Sequence, residues 1–308
     1  MRFVVTLLSI LALVPATAIA QPAGTLVVGL VAEPVALDPA QVTDLNSNRV
    51  GRRVVETLVA FADGSTQIGP GLAESWTISK DGLQYTFKLR KGVTFHDGTP
   101  LNADAVKFSL ERQTVADHPA NKLGKYPFAN YFFGNVKAVE PLDELTVRFI
   151  LKEPRASFLD IMAAAAASIV SPTAVRKYGL DYGPNPVGTG PFRFASWERG
   201  QRVVLEKNPS YWKFPVKVDR VIYRPIVEDQ ARLTELLTGS LDLIVGVPPD
   251  FVGQLESNPR LTLLKQVGAH VWYLAFNNEK KPFTDKRVRQ ALNYAVDKDA
   301  IARDVLKG

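Results

Sequence analysis

Cysteine is absent from all 308 residues. That excludes a disulfide scaffold, a thiolate-ligated zinc or iron–sulfur centre, a cysteine nucleophile and a lipid-modified N-terminal cysteine. Histidine is scarce. His96, His118 and His270 never stand at the i, i+4 spacing of a helical metal pair, and no carboxylate cluster accompanies them. No G-x-S-x-G elbow occurs. Runs of one charge are missing too: the 37 basic and 31 acidic residues are scattered and leave a formal charge of +6, so nothing marks a nucleic-acid surface. Past the N-terminus no apolar stretch approaches the ~20 residues of a membrane span. No metal, cofactor or catalytic set is therefore expected.

What is present begins with an address. Met1-Arg2 is followed by an apolar stretch from Phe3 to Val14, then Pro15 and Ala18-Ile19-Ala20. A basic start, a short apolar middle and an A-x-A end are the three parts of a secretory signal peptide over 1–20. The mature chain is then expected to start at Gln21. Export without a cysteine to carry a lipid points to the bacterial periplasm.

The mature sequence mixes hairpins with strand–helix–strand units, the pattern of a mixed α/β and α+β chain built in lobes. Thr25 to Val31 reads as a buried strand. The apolar stripe Val50, Val54, Leu58 predicts a helix from Asn46 or Ser47. Trp76 and Ile78, then Leu83, Tyr85, Phe87 and Leu89, alternate with polar residues on either side of Lys80-Asp81-Gly82. Period two about an Asp-Gly turn specifies an antiparallel hairpin with one buried face. Asn102 is placed to cap a helix running to about Arg112. Strands are expected at Leu145 to Phe149, Phe192 to Trp197, Arg202 to Leu205, Leu241 to Val245 and Trp272 to Phe276. Helices are expected over Phe158 to Ala167, from Asp229 to a stop at Gly239, and from Thr284-Asp285.

Three features could carry chemistry or simply structure. His96-Asp97-Gly98 suggests part of a catalytic dyad, but Asp-Gly after an alternating strand reads better as a turn. Gly188-Thr189-Gly190 lacks the Lys-Ser/Thr of a phosphate loop and ends at Pro191, so its glycines are read as positive-φ turn residues. Tyr126, Phe128, Tyr131, Phe132 and Phe133 form either a small satellite core under a loop or the aromatic wall of a ligand cleft.

Several segments together resemble the family 5 extracellular solute-binding proteins of ABC importers, which take up peptides, opines and nickel chelates. They are Leu37-Asp38-Pro39; Gly71-Leu72-Ala73-Glu74-Ser75-Trp76 through Thr94-Phe95-His96-Asp97-Gly98; Pro186-Val187-Gly188-Thr189-Gly190-Pro191-Phe192; Glu206-Lys207-Asn208-Pro209-Ser210-Tyr211-Trp212; Gly239-Ser240-Leu241-Asp242; and Phe276-Asn277 on to Arg287-Val288-Arg289-Gln290-Ala291-Leu292-Asn293-Tyr294-Ala295-Val296-Asp297. They occur in the family's order over most of the mature chain.

The resemblance implies a two-lobed fold of the type II periplasmic binding protein kind, with the second lobe largely missing. Lobe I would comprise 21–49 and 171–267. A subdomain over 50–170 would be inserted into it, and 268–308 would open a truncated lobe II. The implied role is capture of a short peptide or similar small solute by a monomer, for delivery to a permease and its ATPase. The implied cleft residues are Val42, Thr43, Asp44, Leu45 and Asn46, then Gly246 and Val247, then Trp272 and Tyr273, with Tyr273 facing the ligand. Each has a plainer reading beside this one: Asp44 as a helix cap, Asp38 as a turn residue and Asp285 as a first-turn helix acid. Two other functions compete, a truncated remnant that no longer binds and a secreted hydrolase using His96.

Overall fold

The computed structural model describes residues 24–265 and 273–306. The expected signal peptide, His270 and Trp272 lie outside them. The chain opens with strand β1 (Thr25–Leu30) and helix α1 (Leu45–Gly51). It crosses to β2 (Val59–Phe61), β3 (Ile68–Pro70), β4 (Ala73–Ile78), β5 (Gln84–Leu89), α2 (Ala103–Thr114), α3 (Ala129–Phe133), β6 (Val136–Asp143), β7 (Thr146–Leu151) and α4 (Phe158–Ala163). It returns through α5 (Pro172–Tyr178) to β8 (Phe192–Glu198), β9 (Arg202–Lys207), β10 (Arg220–Pro225), α6 (Asp229–Thr238), β11 (Leu243–Ile244) and α7 (Val252–Glu256). Helix α8 (Lys286–Ala295) comes later. No described helix is long and apolar enough to cross a membrane.

Two main sheets result. One has the order β11-β1-β10-β9-β8. In it β1 lies parallel to both β10 and β11, while β9 pairs antiparallel with β10 and β8. A central strand with neighbours on both sides accounts for the unbroken apolar run of β1. The other sheet is antiparallel, β4-β5-β7-β6. Its first hairpin follows the alternation: Trp76 pairs with Phe87 and Ile78 with Tyr85. Asp81 Oδ1 accepts the Leu83 N–H at 3.0 Å, and Gly82 takes a φ of +69° that closes the turn. The rings of Phe87 and Phe149 meet edge to face at 5.5 Å.

Each sheet has its own core. Phe87, Val147, Phe149, Val106 and Met162 fill one; Leu30, Val50, Val54 and Leu205 fill the other, and all but fully exclude solvent. The aromatic stretch belongs to the first as a satellite. Phe133 is buried, Phe128 and Phe132 stack at 5.1 Å, and the Tyr126 hydroxyl donates to Ala120 O at 3.2 Å. Tyr131 stays exposed.

The structure corrects several expectations. Helix α1 stops at Gly51, so Val54 and Leu58 reach the cores from turns and a crossing that follow it rather than from a continued helical stripe. That crossing leaves its carbonyls free to bond the returning chain: Gly190 N donates to Val54 O, Phe192 N to Arg53 O and Ile169 N to Glu56 O. The alanine-rich helix ends at Ala163, and Ala165–Ala167 form one 3₁₀ turn, because Ala164 is extended. Neither Gly188 nor Gly190 has a positive φ. They are glycines because of space: a Cβ on Gly190 would lie 2.5 Å from Arg53 O, and one on Gly188 2.7 Å from Val55 Cα. The strand expected at Leu241 to Val245 shortens to Leu243–Ile244, the two residues in register with β1. Residues 273–276 form no strand. A strand needs a neighbour for its backbone groups, and no described strand pairs with them. Strands β2, β3, β6 and β10 and helix α5 were not expected. No residue from 273 to 306 is buried.

Candidate functional site

Three parallel strands, β1, β10 and β11, place their carboxyl ends along one sheet edge, the position where open α/β sheets hold ligands. Val31 follows β1, Ile226 to Glu228 follow β10, and Val245 to Val247 follow β11. Buried Arg232 of α6 ties two of these loops together. Its Nη1 donates to Ile226 O at 2.7 Å and Val227 O at 3.3 Å; its Nη2 donates to Gly246 O at 3.4 Å and to Asp229. Gly246 adopts φ +70°, where a side chain would be strained, and a Cβ there would sit 3.1 Å from Val31 Cγ1.

From Val31 the chain runs back to the start of α1. Glu33 Oε1 accepts the Trp197 indole N–H at 3.0 Å and the Gly200 N–H at 2.9 Å, and Val35 N donates to Ser47 Oγ at 2.8 Å. Leu37 N donates to Gly183 O at 2.9 Å. Asp38 closes a turn by accepting from Ala40 N at 3.1 Å, as its sequence position suggested. It also forms a buried two-point ion pair with Arg112 of α2, at 2.7 and 3.0 Å, which no local pattern foretold.

The expected cleft residues divide by placement. Val42 and Asn46 are buried, and Asn46 Oδ1 accepts from Arg49 Nη1 at 3.1 Å. Asp44 caps α1 by accepting from Ser47 N at 2.8 Å, the plainer of its two readings. Thr43 and Leu45 alternate with them and face solvent. Gly246 is exposed and Val247 half-buried. Residues 31–35 run from Val31, which packs beside Gly246, to Val35, whose N–H donates to Ser47 Oγ. Tyr273 is 79% exposed and has no hydrogen-bond or ring partner among the described residues. It is not joined to the others.

Reactive geometry around His96 is absent. Its Nε2 donates to Gly190 O at 2.9 Å, and its Nδ1 faces Gly188 N at 3.4 Å. Both nitrogens are thus committed to backbone, which leaves no base for a nucleophile. Asp97 accepts from Thr99 N at 3.1 Å beside Gly98 at φ +83°, a turn. Burial pulls the His96 imidazole down to about 4, countered in part by the Gly190 hydrogen bond. Because the folded value lies below the unfolded 6.5, the unfolded chain binds the extra proton between those values. This contribution is complete above pH 6.5 and shrinks as pH falls toward 4. Urea titrations at pH 7.5 and 4.5 are expected to show the wild type losing about 2 kcal/mol more than His96→Gln over that interval; equal losses would refute this.

Glu56 marks the junction of the two cores. Its carboxylate accepts from Thr189 Oγ1 at 2.8 Å, Tyr211 Oη at 2.8 Å and Trp212 Nε1 at 2.9 Å. Burial pushes it above the usual carboxylate range, and these three donors pull it partly back. Among the described residues no group of three or more His, Asp or Glu converges as a metal site. The geometry offers a loop-lined edge for holding a molecule, and no reactive set at it.

Comparison with known proteins agrees in sequence and in shape. Residues 67–308 match the family described as bacterial extracellular solute-binding proteins, family 5 Middle. The glutathione-binding protein GsiB of Pectobacterium atrosepticum is 38% identical over 273 residues, which is 88% of this chain and 52% of that protein. Heme-binding protein A of Haemophilus influenzae is 40% identical over 293 residues, 89% of this chain and 53% of that one. The periplasmic binding protein DppA of Helicobacter pylori, solved with the peptide STSA, superposes with a TM-score of 0.83 at 35% identity, covering 92% of this chain and 58% of that chain. The chain thus spans about half the length of the curated relatives it matches. With the motifs in order, the two-sheet fold in place and the match running over 67–308, the chain belongs to the family 5 bacterial extracellular solute-binding proteins.

Proposed function

We propose that the chain supplies the first lobe of a periplasmic binding component of an ABC importer, which captures a short peptide and presents it to a permease and its ATPase. Opines or other small solutes are the next class. The observation that carries this reading is the loop-lined edge at the carboxyl ends of three parallel strands, where exposed Gly246 follows β11 and the chain leaving β1 leads on to exposed Thr43 and Leu45. In such a device the ligand bridges two lobes, and only the closed arrangement offers both sets of contacts, so binding shifts the population toward closure. Residues 21–49 and 171–267 form the lobe core in this reading, 50–170 the insertion and 268–308 the start of lobe II. Pairing of β1 with β10 and β11 supports that division, as does a second sheet drawn wholly from 73–151. The names of the relatives, which include glutathione-binding and heme-binding proteins and a peptide complex, support a small, partly peptidic ligand.

One observation favours a second reading. Because no residue of 273–306 is buried, a remnant that no longer binds is the alternative. Native mass spectrometry with trialanine, glutathione and heme, alongside thermal melting, separates the two. A 1:1 adduct and a midpoint that climbs with ligand concentration are expected. A chain that takes up none of the three and melts without a sharp transition would favour the remnant.

A further inference from the structure

Arg112 lies in α2, against the core of the antiparallel sheet, while the candidate ligand loop belongs to the other sheet. The carboxylate of Asp38 ties the loop directly to Arg112. Arg112 is 1% exposed and Asp38 fully buried. Two parallel hydrogen bonds, at 2.7 and 3.0 Å, fix both the distance and the rotation of Asp38 relative to α2. The remaining capacity of Asp38 is spent within the loop itself: its Oδ1 accepts from Ala40 N and its Oδ2 from Gln41 Nε2, each at 3.1 Å. The guanidinium lies 5.5 Å from the ring centre of Tyr126 and 5.6 Å from that of Tyr182. Arg112 Nε is buried with no hydrogen-bond partner.

A buried ion pair is a poor device for stability alone, since apolar residues of similar size do as well; setting registry is its best-attested use. The unsatisfied Nε sharpens that point, because a group kept only for stability would not carry such a cost. The pair also sits where registry matters. Four residues beyond Asp38, Val42 is anchored in the core, and two further on Asp44 caps α1. Thr43, between these anchors, and Leu45, just past them, are left projecting.

We infer that Arg112 is a positioning residue for the ligand loop: through Asp38 it sets where Thr43 and Leu45 stand at the sheet edge, so the inserted sheet governs a binding surface it does not form. This rests on the proposed function for the identity of the loop, and on the observed contacts for the coupling. Arg112→Lys keeps the charge and loses the two-point fork. Native-state hydrogen exchange on the full chain is expected to show residues 40–47 exchanging at least tenfold faster in this variant, with amides of β5 and β9 within twofold of wild type. Should Arg112→Lys fold poorly, Tyr126→Leu, at a half-buried position, keeps the ion pair but uncovers it and should give the same pattern more weakly. Equal acceleration in loop and strands, or none in the loop, would overturn the inference. Titration with trialanine and glutathione reads the other proposition separately. A wild type that binds one of them and a variant that binds it at least tenfold more weakly supports both; a wild type that binds neither counts against the ligand loop while exchange still decides the coupling.

Discussion

Gly190→Val is expected to cost more than about 3 kcal/mol of folding stability. The reason is backbone, not side chain. A Cβ at Gly190 would stand 2.5 Å from Arg53 O and 2.8 Å from the carbonyl of Val54. Those carbonyls cannot step aside, because they accept from Phe192 N and Gly190 N and so hold the return crossing against the outward one. The Gly190 carbonyl in turn accepts from His96 Nε2 at 2.9 Å and Asn208 Nδ2 at 3.0 Å. Displacement would thus be felt in both sheets at once. Gly253 is the fitting control: it has ordinary φ, a helical position and nothing within 4 Å of an added Cβ. Gly253→Ala is expected to be neutral or stabilising by about 0.5–1 kcal/mol. Urea unfolding of the three proteins checks both, and a Gly190→Val variant within 1 kcal/mol of wild type would remove close approach as the reason for glycine here.

Asp38→Ala should be nearly as severe, at about 3–5 kcal/mol, because it strands the Arg112 cation with no counter-charge in a site closed to water. Asp38→Asn combined with Arg112→Met behaves differently. Asn still offers an acceptor to the Ala40 N–H, and Met fills the arginine's volume without a charge. The double variant is expected to recover at least half of the stability lost in Asp38→Ala, yet without the fork the loop no longer has its rotation set. Stability and positioning would then part company in one protein. A double variant no more stable than Asp38→Ala, measured by the same urea titration, would mean the pair is needed for the fold as such.

The sequence disclosed those parts whose cause is local. The hairpin from Trp76 to Leu89 was legible because alternation and an Asp-Gly turn act within a few residues of each other. Helix starts were legible for the same reason: Asn102 and Asp44 each accept from a backbone N–H three residues ahead, whereas Asp285, read as a first-turn acid, stands one step earlier as the N-cap of α8, accepting from Arg287 N. Strand β10 escaped because Ile222, apolar between buried Val221 and Tyr223, blurs its alternation. The Gly188-Thr189-Gly190 segment was found and its reason misjudged. A glycine kept for positive φ and one kept for close approach look alike in a sequence, and only the crossing at Arg53 and Val54 tells them apart. Asp38 and Arg112 are 74 residues apart; Glu56 and Trp212 are 156 apart. Neither pair has a periodic signature, since tertiary packing alone brings them together. Of the expected site residues, Gly246 stands at the carboxyl edge of the sheet, because it follows a strand that the sequence did reveal. Tyr273 does not, because the strand meant to carry it has no described neighbour to form against.

The place of β1 between β11 and β10 also has a temporal side. Thr25 pairs with Arg220 and Val28 with Leu243, so β1 is idle until strands made about 200 residues later exist. The antiparallel sheet needs only residues 73–151 and can form while β1 is still waiting. Long-range pairing of this kind slows folding, because loop closure must precede the contacts that reward it.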